Sequence, residues 1–482
     1  MPRPTSGAYI RAGLVARGKS IDTGEPIMAA DKDIGDIAAE RLSAEVYARN
    51  FQDVRPPLDH HQAAVEADRC YFCHDAPCVQ ACPTGIDVPL FIRQIATGNT
   101  QGAARTILGA NIMGGMCARV CPTETLCEQV CVRNEGADEP VKIGRLQRFA
   151  VDALMATGTQ PFSRARPTGK SIAVVGAGPA GLACAHALAL VGHGVVLHDA
   201  GEKPGGLNEY GIAAYKTVDG FAQREIEFVL SVGGIDLKLG VRLGADITLD
   251  ELRRDYDAVF LGLGMAGVKA LGLDGEDLNG VHDAVDFIAR LRQSQDLSRI
   301  PVGRRVVVIG GGMTAIDIAA QTRLLGAEEV TIVYRRGPDQ MKASPHEREF
   351  AQTRGVSIRH WAQPSKLIGE NGQIAAAVFE RTANGRNGQL ETTGEHFTLP
   401  ADMLFKAVGQ SLDSGPLSGN GEHPALANGR IAVDDKRKTD LPDVWAGGDC
   451  IDGGSDLTVS AVEDGKIAAA AIHHYVTENS DG

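Results

Sequence analysis

Positive charge is what this sequence lacks first. Its 48 Lys and Arg face 61 Asp and Glu, a net charge of −13 over 482 residues. No basic run is long enough to track a phosphate backbone, which argues against nucleic acid as a partner. Met1 to Arg17 contains no apolar core of the kind a secretory signal needs. A membrane span is missing too. Ser171 to Leu197 is free of charge, but Gly176, Gly178, Gly181, Gly192 and Gly194 break it into strand, turn, helix and strand, the pattern of a soluble βαβ core. There is no Cys-x-x-Cys apart from Cys70/Cys73, inside a cysteine cluster, which argues against dithiol–disulfide chemistry. No Asp or Glu stands out as a general acid or base. The pairs His60-His61 and His473-His474 lack helical ligand spacing and read as surface residues.

The length allows two to four domains, and 58 Gly suit tight turns and close backbone approach to cofactors. Ten Cys are present, eight of them between Cys70 and Cys131. A secreted disulfide scaffold would be shorter and would carry a signal, so metal ligation in a reducing compartment, the cytoplasm, is expected. Cys184 lies inside an apolar helix and reads as packing; Cys450 is a lone thiol beside Asp449.

Along the chain, a polar extended lead is followed by helical spacing from Ile37 to Asn50 (Ala38, Leu42, Val46), and a second helix is expected over Asp59–Arg69. Cys70–Gln147 shows no strand pattern and reads as helical and loop-rich. Pro161–Gly169 is a linker. Then Ser171–Val175 predicts a buried strand, Gly176–Gly181 a turn, Leu182–Val191 a helix and Gly194–His198 a strand. The plan recurs about 130 residues later: strand Arg305–Ile309, turn Gly310–Ala315, helix to Leu325, strand Val330–Tyr334. Two Rossmann units imply two nucleotide sites.

The cysteines form two runs: Cys70, Cys73, Cys78 and Cys82-Pro83, then Cys117, Cys121, Cys127 and Cys131. Thiolates this close wrap one cluster from a single loop, and eight suggest two iron–sulfur clusters. Zinc also accepts four thiolates, but it favours short paired knuckles separated by a spacer, and the first run lacks that division.

In the first unit Gly176 permits the turn, Gly178 lets backbone approach a pyrophosphate at the helix start (Pro179, Ala180), Gly181 permits helix–strand packing, and Asp199 can accept from a ribose. Downstream, Gly205-Gly206-Leu207 suits the passage of a long cofactor. Gly448 and Asp449 end a late strand, and Thr458–Ala471 can supply a further helix N-terminus. An early Gly-x-Gly-x-x-Gly paired with a late Gly-Gly-Asp resembles the two-dinucleotide flavoproteins, which implies FAD. The second unit offers Gly310, Gly312, Met313, Thr314 and Ala315. Arg335 and Arg336 stand where Asp199 stands in the first. Guanidinium in place of an acid suits a 2′-phosphate, hence NADPH. Two solvated arginines at a strand end remain the alternative, with NADH as the donor.

The order of parts resembles the small subunit of bacterial glutamate synthase and the N-terminal half of dihydropyrimidine dehydrogenase. The second likeness is carried by Cys70-Tyr-Phe-Cys-His-Asp-Ala-Pro-Cys78, Cys117-Ala-Arg-Val-Cys-Pro-Thr-Glu-Thr-Leu-Cys127 and Ile143-Gly-Arg-Leu-Gln147. This resemblance implies an α/β protein: a helical domain with two [4Fe-4S] clusters (residues 1–165), an FAD domain (166–285 and 406–482), and an NAD(P) domain inserted in it (286–405). It implies ligands Cys70, Cys73, Cys78 and Cys131 for one cluster, and Cys82, Cys121, Cys127 and Gln147 for the other, with Cys117 a non-ligand. The chain stops at Gly482, so the pyrimidine-reducing FMN barrel and the further clusters of the single-chain enzyme are expected on a partner subunit, in a heterotetramer. The implied activity is NAD(P)H oxidation with transfer of electrons to that partner, for uracil or thymine reduction. The rivals are a glutamate synthase small subunit, or a structural subunit that keeps only the fold.

Overall fold

The computed structural model describes residues 36–136, 139–386, 388–417 and 421–478. The expected extended lead falls outside these up to residue 35. The helix expected from Ile37 is shorter. Ile37–Ala38 form a strand antiparallel to Val302–Gly303, Glu40 turns the chain at φ 59°, and the helix spans only Ala44–Asn50. The open edge at Val302 claims the backbone that periodicity alone assigns to helix. This segment packs on the second Rossmann unit: Tyr47 and Phe51 join that unit's core, and Asn50 Nδ2 donates to the Leu324 carbonyl oxygen at 2.8 Å.

The second predicted helix is present at His60–Asp68, where Asp59 and Gln62 form a reciprocal capping box. From there to Met155 the described chain is helical and strand-free: Val88–Ala96, Thr100–Ala110, Gly114–Val120 and Ile143–Met155, with short turns that carry the cysteines. The linker Pro161–Gly169 has no regular element, and Arg164 donates to the His193 carbonyl oxygen at 2.8 Å.

Two parallel five-stranded sheets follow. The first runs Val444–Ala446, Ala258–Leu261, Ser171–Val175, Gly194–Asp199, Ile235–Leu239. The second runs Val356–His360, Glu329–Tyr334, Arg305–Gly310, Met403–Ala407, Val281–Asp283. The second sheet thus takes in Val281–Asp283 and all of Met403–Ala407, a few residues beyond the boundaries expected at 286 and 405. A three-stranded antiparallel sheet (Ala362–Glu370, Gln373–Asn384, Leu390–Pro400) is inserted in the second unit; the repeat did not announce it.

One apolar core joins Phe91, Ile107 and Leu146 of the cysteine region to Leu182, Leu188 and Trp445 of the first unit. The second unit has a core of its own, with Val306, Ile316 and Ile332 at its centre. Helix Thr458–Glu478 lies on helix Pro179–Leu190 so closely that a Cβ on Gly465 would strike the Ala180 carbonyl. His473 is not a surface residue. It is half-buried, 2.9 Å from His193 Nε2 through its Nδ1, because this late helix returns onto the first unit.

Candidate cofactor sites

Cys70, Cys73, Cys78 and Cys131 line one pocket, with Val88, Ile92, Val141 and Ile143 among its apolar walls. The run folds back on itself because Phe72 sits at φ 51° and donates its backbone N–H to Cys70 Sγ at 3.4 Å. Burial pushes the Cys70 thiol up and that of Cys78 to about 11, with repulsion from the neighbouring thiols adding to both.

Cys82, Cys121 and Cys127 form a second group. Burial and the Cys82 thiol both push Cys127 upward. Cys121 is raised first by its hydrogen bond with Cys117 and then by burial. Gln147 is buried on helix Ile143–Met155, and its Nε2 donates to the Gly114 carbonyl oxygen at 2.7 Å. That anchors the amide nitrogen and leaves the side-chain oxygen with no hydrogen bond among the described residues. Cys117 is buried, and its Sγ accepts from Asn111 Nδ2 at 3.2 Å. Spacing showed neither Asn111 nor this pairing.

In the first Rossmann unit Gly176 has φ +99°, and a Cβ there would strike the Gly262 carbonyl at the end of the neighbouring strand. Gly178 opens the helix with Pro179 at its first position and no side-chain cap, so the first-turn N–H groups are left for a ligand. Three more segments close on this turn. Gly206 approaches so nearly that a Cβ on it would stand 2.9 Å from Gly178 Cα. Leu207 follows it, partly exposed. Gly448 abuts Ala180, whose Cβ would be 3.1 Å from a Cβ on Gly448. Asp199 Oδ2 accepts from Ala177 N and its Oδ1 from Gly201 N, both at 2.7 Å, so it braces the turn. Asp449 is half-buried; burial, then Asp456, raises it to about 6. Asp464 was missed. Its Oδ2 accepts from Gly448 N at 2.9 Å and its Oδ1 from Arg437 Nε at 2.7 Å, which fixes the Gly447-Gly448 turn. A charged residue on the buried face of an apolar helix was the signal available.

The second unit repeats the turn. Gly310 has positive φ, and a Cβ there would strike the Ala407 carbonyl. Gly312 faces open space, and Met313, Thr314 and Ala315 begin the helix. Arg335 is exposed and Arg336 half-buried; neither side chain has a hydrogen bond or ion pair among the described residues.

The units are tied at their junctions. Glu225 of helix Phe221–Leu230 accepts from Gly115 N (2.7 Å) and Met116 N (3.0 Å) of the cysteine region, and burial raises it to about 8. Beside it Arg119 stacks on Phe221 at 3.4 Å and pairs with Asp152. Lys216 Nζ bridges Asp317 (2.7 Å) and Glu347 (2.9 Å) of the second unit.

The geometry is that of a pyridine nucleotide oxidoreductase with two dinucleotide-binding units and an iron–sulfur domain ahead of them. Residues 47–159 match the family described as dihydropyrimidine dehydrogenase domain II, 4Fe-4S cluster, and residues 170–465 match pyridine nucleotide-disulphide oxidoreductase. The chain is 37% identical over 431 residues to the NAD-dependent dihydropyrimidine dehydrogenase subunit PreT of Salmonella typhimurium, covering 89% of this chain and 98% of that protein. It is 34% identical over 448 residues to the Escherichia coli glutamate synthase [NADPH] small chain, covering 88% and 94%. In fold it resembles Mycobacterium tuberculosis FprA in complex with NADPH (TM-score 0.53, 22% identity, 66% of this chain and 86% of that one). The chain belongs to the family that contains PreT and the glutamate synthase small chain. Among the described residues no helix is long and apolar enough to cross a membrane.

Proposed function

We propose that this chain oxidises NADH or NADPH and passes the electrons to a partner subunit that carries FMN and reduces uracil or thymine to the 5,6-dihydropyrimidine, as a heterotetramer in the cytoplasm. The observation that carries this reading is the joining of two cysteine groups to the first Rossmann unit through one shared core, in a chain similar to PreT over nearly PreT's whole length.

The residues suit the groups. Bound FAD and two [4Fe-4S] clusters would supply the change from two-electron to one-electron transfer. Cys70, Cys73, Cys78 and Cys131 all line one pocket, and four thiolates are the donor set a [4Fe-4S] cluster takes. Cys82, Cys121, Cys127 and Gln147 would hold the second cluster, and Asn111 engages Cys117 instead. Gly176, Gly178, Pro179, Ala180 and Gly181 would receive the FAD pyrophosphate, with Asp199 at the ribose and Gly206, Leu207, Gly448 and Asp449 along the cofactor. Gly310, Gly312, Met313, Thr314 and Ala315 would receive that of NAD(P)H, with Arg335 and Arg336 at its adenosine ribose. Glu225 and Arg119 hold the cysteine helix against the first unit, so the two redox regions keep a constant separation.

The second reading is a glutamate synthase small chain. The 34% identity over 88% of this chain favours it nearly as much as the first. The test is reconstitution. The purified chain should bleach its flavin absorbance with NAD(P)H and reduce artificial acceptors but not uracil. Adding the FMN partner should bring uracil reduction. Uracil reduction by the chain alone overturns the reading, and glutamate formation with an amidotransferase partner selects the second. For the ligand set, Cys117→Ser should keep full iron content and both low-temperature EPR signals, whereas Gln147→Ala should lose one.

A further inference from the structure

Seven non-glycine residues have positive φ among the described residues. Asp219, Asn371 and Asn428 precede glycine in turns, where their short polar side chains are at home. Of the other four, Glu40 turns the chain ahead of the first helix, Phe72 lies in the cysteine loop and Arg437 holds Asp464 beneath Gly448. Trp361, at φ 57°, is the fourth, and neither the fold nor the proposed chemistry uses it so far. A bulky aromatic in the left-handed region is a marked outlier, and such strain gathers at functional sites.

Its position is specific. Trp361 directly follows strand Val356–His360, whose partner in register is Glu329–Tyr334, His360 lying opposite Tyr334. Trp361 therefore lies beside Arg335 at the carboxyl edge of the second sheet. Its N–H donates to the Arg336 carbonyl oxygen at 3.3 Å, and Thr382 ties both strand ends, from N to the Trp361 carbonyl oxygen (3.0 Å) and from Oγ1 to that of Arg335 (2.7 Å). The indole lies against Gly337, where a Cβ would stand 2.6 Å from Cζ2. The side chain is half-exposed. In a sheet of this order a dinucleotide crosses the edge at the Gly-rich turn, here between Arg305–Gly310 and Met403–Ala407, and its adenosine half falls over the first, second and third strands of the unit.

We propose that Trp361 is the adenine platform of the second dinucleotide site, stacking on the base while Arg335 and Arg336 face the adjoining ribose. This rests on the reading of the second unit as the NAD(P) site. The indole lies against Gly337, the residue that follows the arginine pair, and the glycine is what lets a ring lie there. Trp361 is thus a binding residue shared by NADH and NADPH, and the arginines bear only on the choice between them.

The test uses the flavin-loaded protein and ADP-ribose, which has the adenine but neither nicotinamide nor 2′-phosphate. Calorimetric titration should show Trp361→Leu binding about tenfold more weakly and Trp361→Phe within about threefold of wild type. The preference for 2′-phospho-ADP-ribose over ADP-ribose should be the same in Trp361→Leu as in wild type. Trp361→Leu within about twofold of wild type overturns the proposal. Should that variant not fold, wild-type fluorescence decides. The chain has two Trp, and Trp445 is 1% exposed in the other unit, so saturating ADP-ribose should change the Trp361 emission, and an unchanged emission overturns the proposal. A wild type without 2′-phosphate preference whose Trp361→Leu still weakens ADP-ribose removes the arginine reading alone. ADP-ribose that fails to bind wild type removes the site itself.

Discussion

The two Rossmann units share one turn and part company a strand later. Gly176 and Gly310 both hold positive φ under the carbonyl of a neighbouring strand, Gly262 in one unit and Ala407 in the other. At the end of the second strand, Asp199 has both oxygens engaged by backbone, one by Ala177 of the glycine turn and one by Gly201 of its own loop, whereas the exposed Arg335 side chain has no partner among the described residues. The closures differ as well. The first unit is closed by segments from far along the chain, Gly448 and Asp464, and shares its core with the cysteine region. The second is closed locally. Ala343 donates to the Gly311 carbonyl oxygen at 3.0 Å, and the Tyr334 ring lies against Gly311. The sterics of the turn are a property of the backbone and repeat faithfully. Under the proposed function, the choice of ligand would lie in one strand-end side chain and in whatever the topology brings beside it.

The strongest way to break this comparison is to substitute the glycines. Gly176→Val meets a carbonyl and needs a φ that valine cannot hold, so we expect no folded, flavin-loaded protein. Gly312→Ala enters open space, and we expect normal flavin content and melting temperature with weaker NAD(P)H binding. Equal damage from both would show that Gly312 is as tightly enclosed as Gly176.

Arg335→Ala sharpens the contrast at the strand ends. Loss of a charge-assisted contact to a 2′-phosphate should cost NADPH about 1.5–3 kcal/mol and leave NADH unmoved. An unchanged NADPH/NADH ratio of kcat/KM would make Arg335 a solvated side chain and leave NADH as the donor. Asp199→Asn replaces one of two backbone acceptors with a donor. It should lower stability by about 1–2 kcal/mol, read from denaturant midpoints, whereas Arg335→Ala should stay within about 0.5 kcal/mol of wild type.

The smallest effect concerns the junction that only the first unit has. Burial raises Glu225 to about 8, well above the ordinary carboxyl value of 4.5. Between those values the unfolded chain releases this proton and the folded chain keeps it, so Glu225 makes stability fall as pH rises through that window. Glu225→Gln retains an acceptor for Gly115 and Met116 and removes that slope. Its melting temperature relative to wild type should therefore rise steadily from about pH 5 to about pH 8. Parallel curves would mean that the carboxyl is ionised throughout.

Much of this architecture is local and could be read from residues alone. Short apolar runs and turn glycines placed both strand–turn–helix–strand repeats, because a buried parallel strand and a Gly-rich turn are specified within about ten residues. The helix expected over Asp59–Arg69 is present at His60–Asp68, and the cysteine region carried no strand pattern and forms none in its described part. What escaped depends on surfaces that meet only when the chain is folded. Ile37–Ala38 became strand because the edge at Val302 was open to it, and His473 is half-buried against His193. The inserted sheet at Ala362–Pro400 broke no periodicity that the repeat required. Asp464, Glu225 and Trp361 looked like ordinary residues of their segments. Folding put the first under Gly448, the second on the backbone of the cysteine helix, and the third beside Arg335. Such contacts join residues distant in sequence, and no local pattern encodes which distant backbone will need an acceptor or a ring.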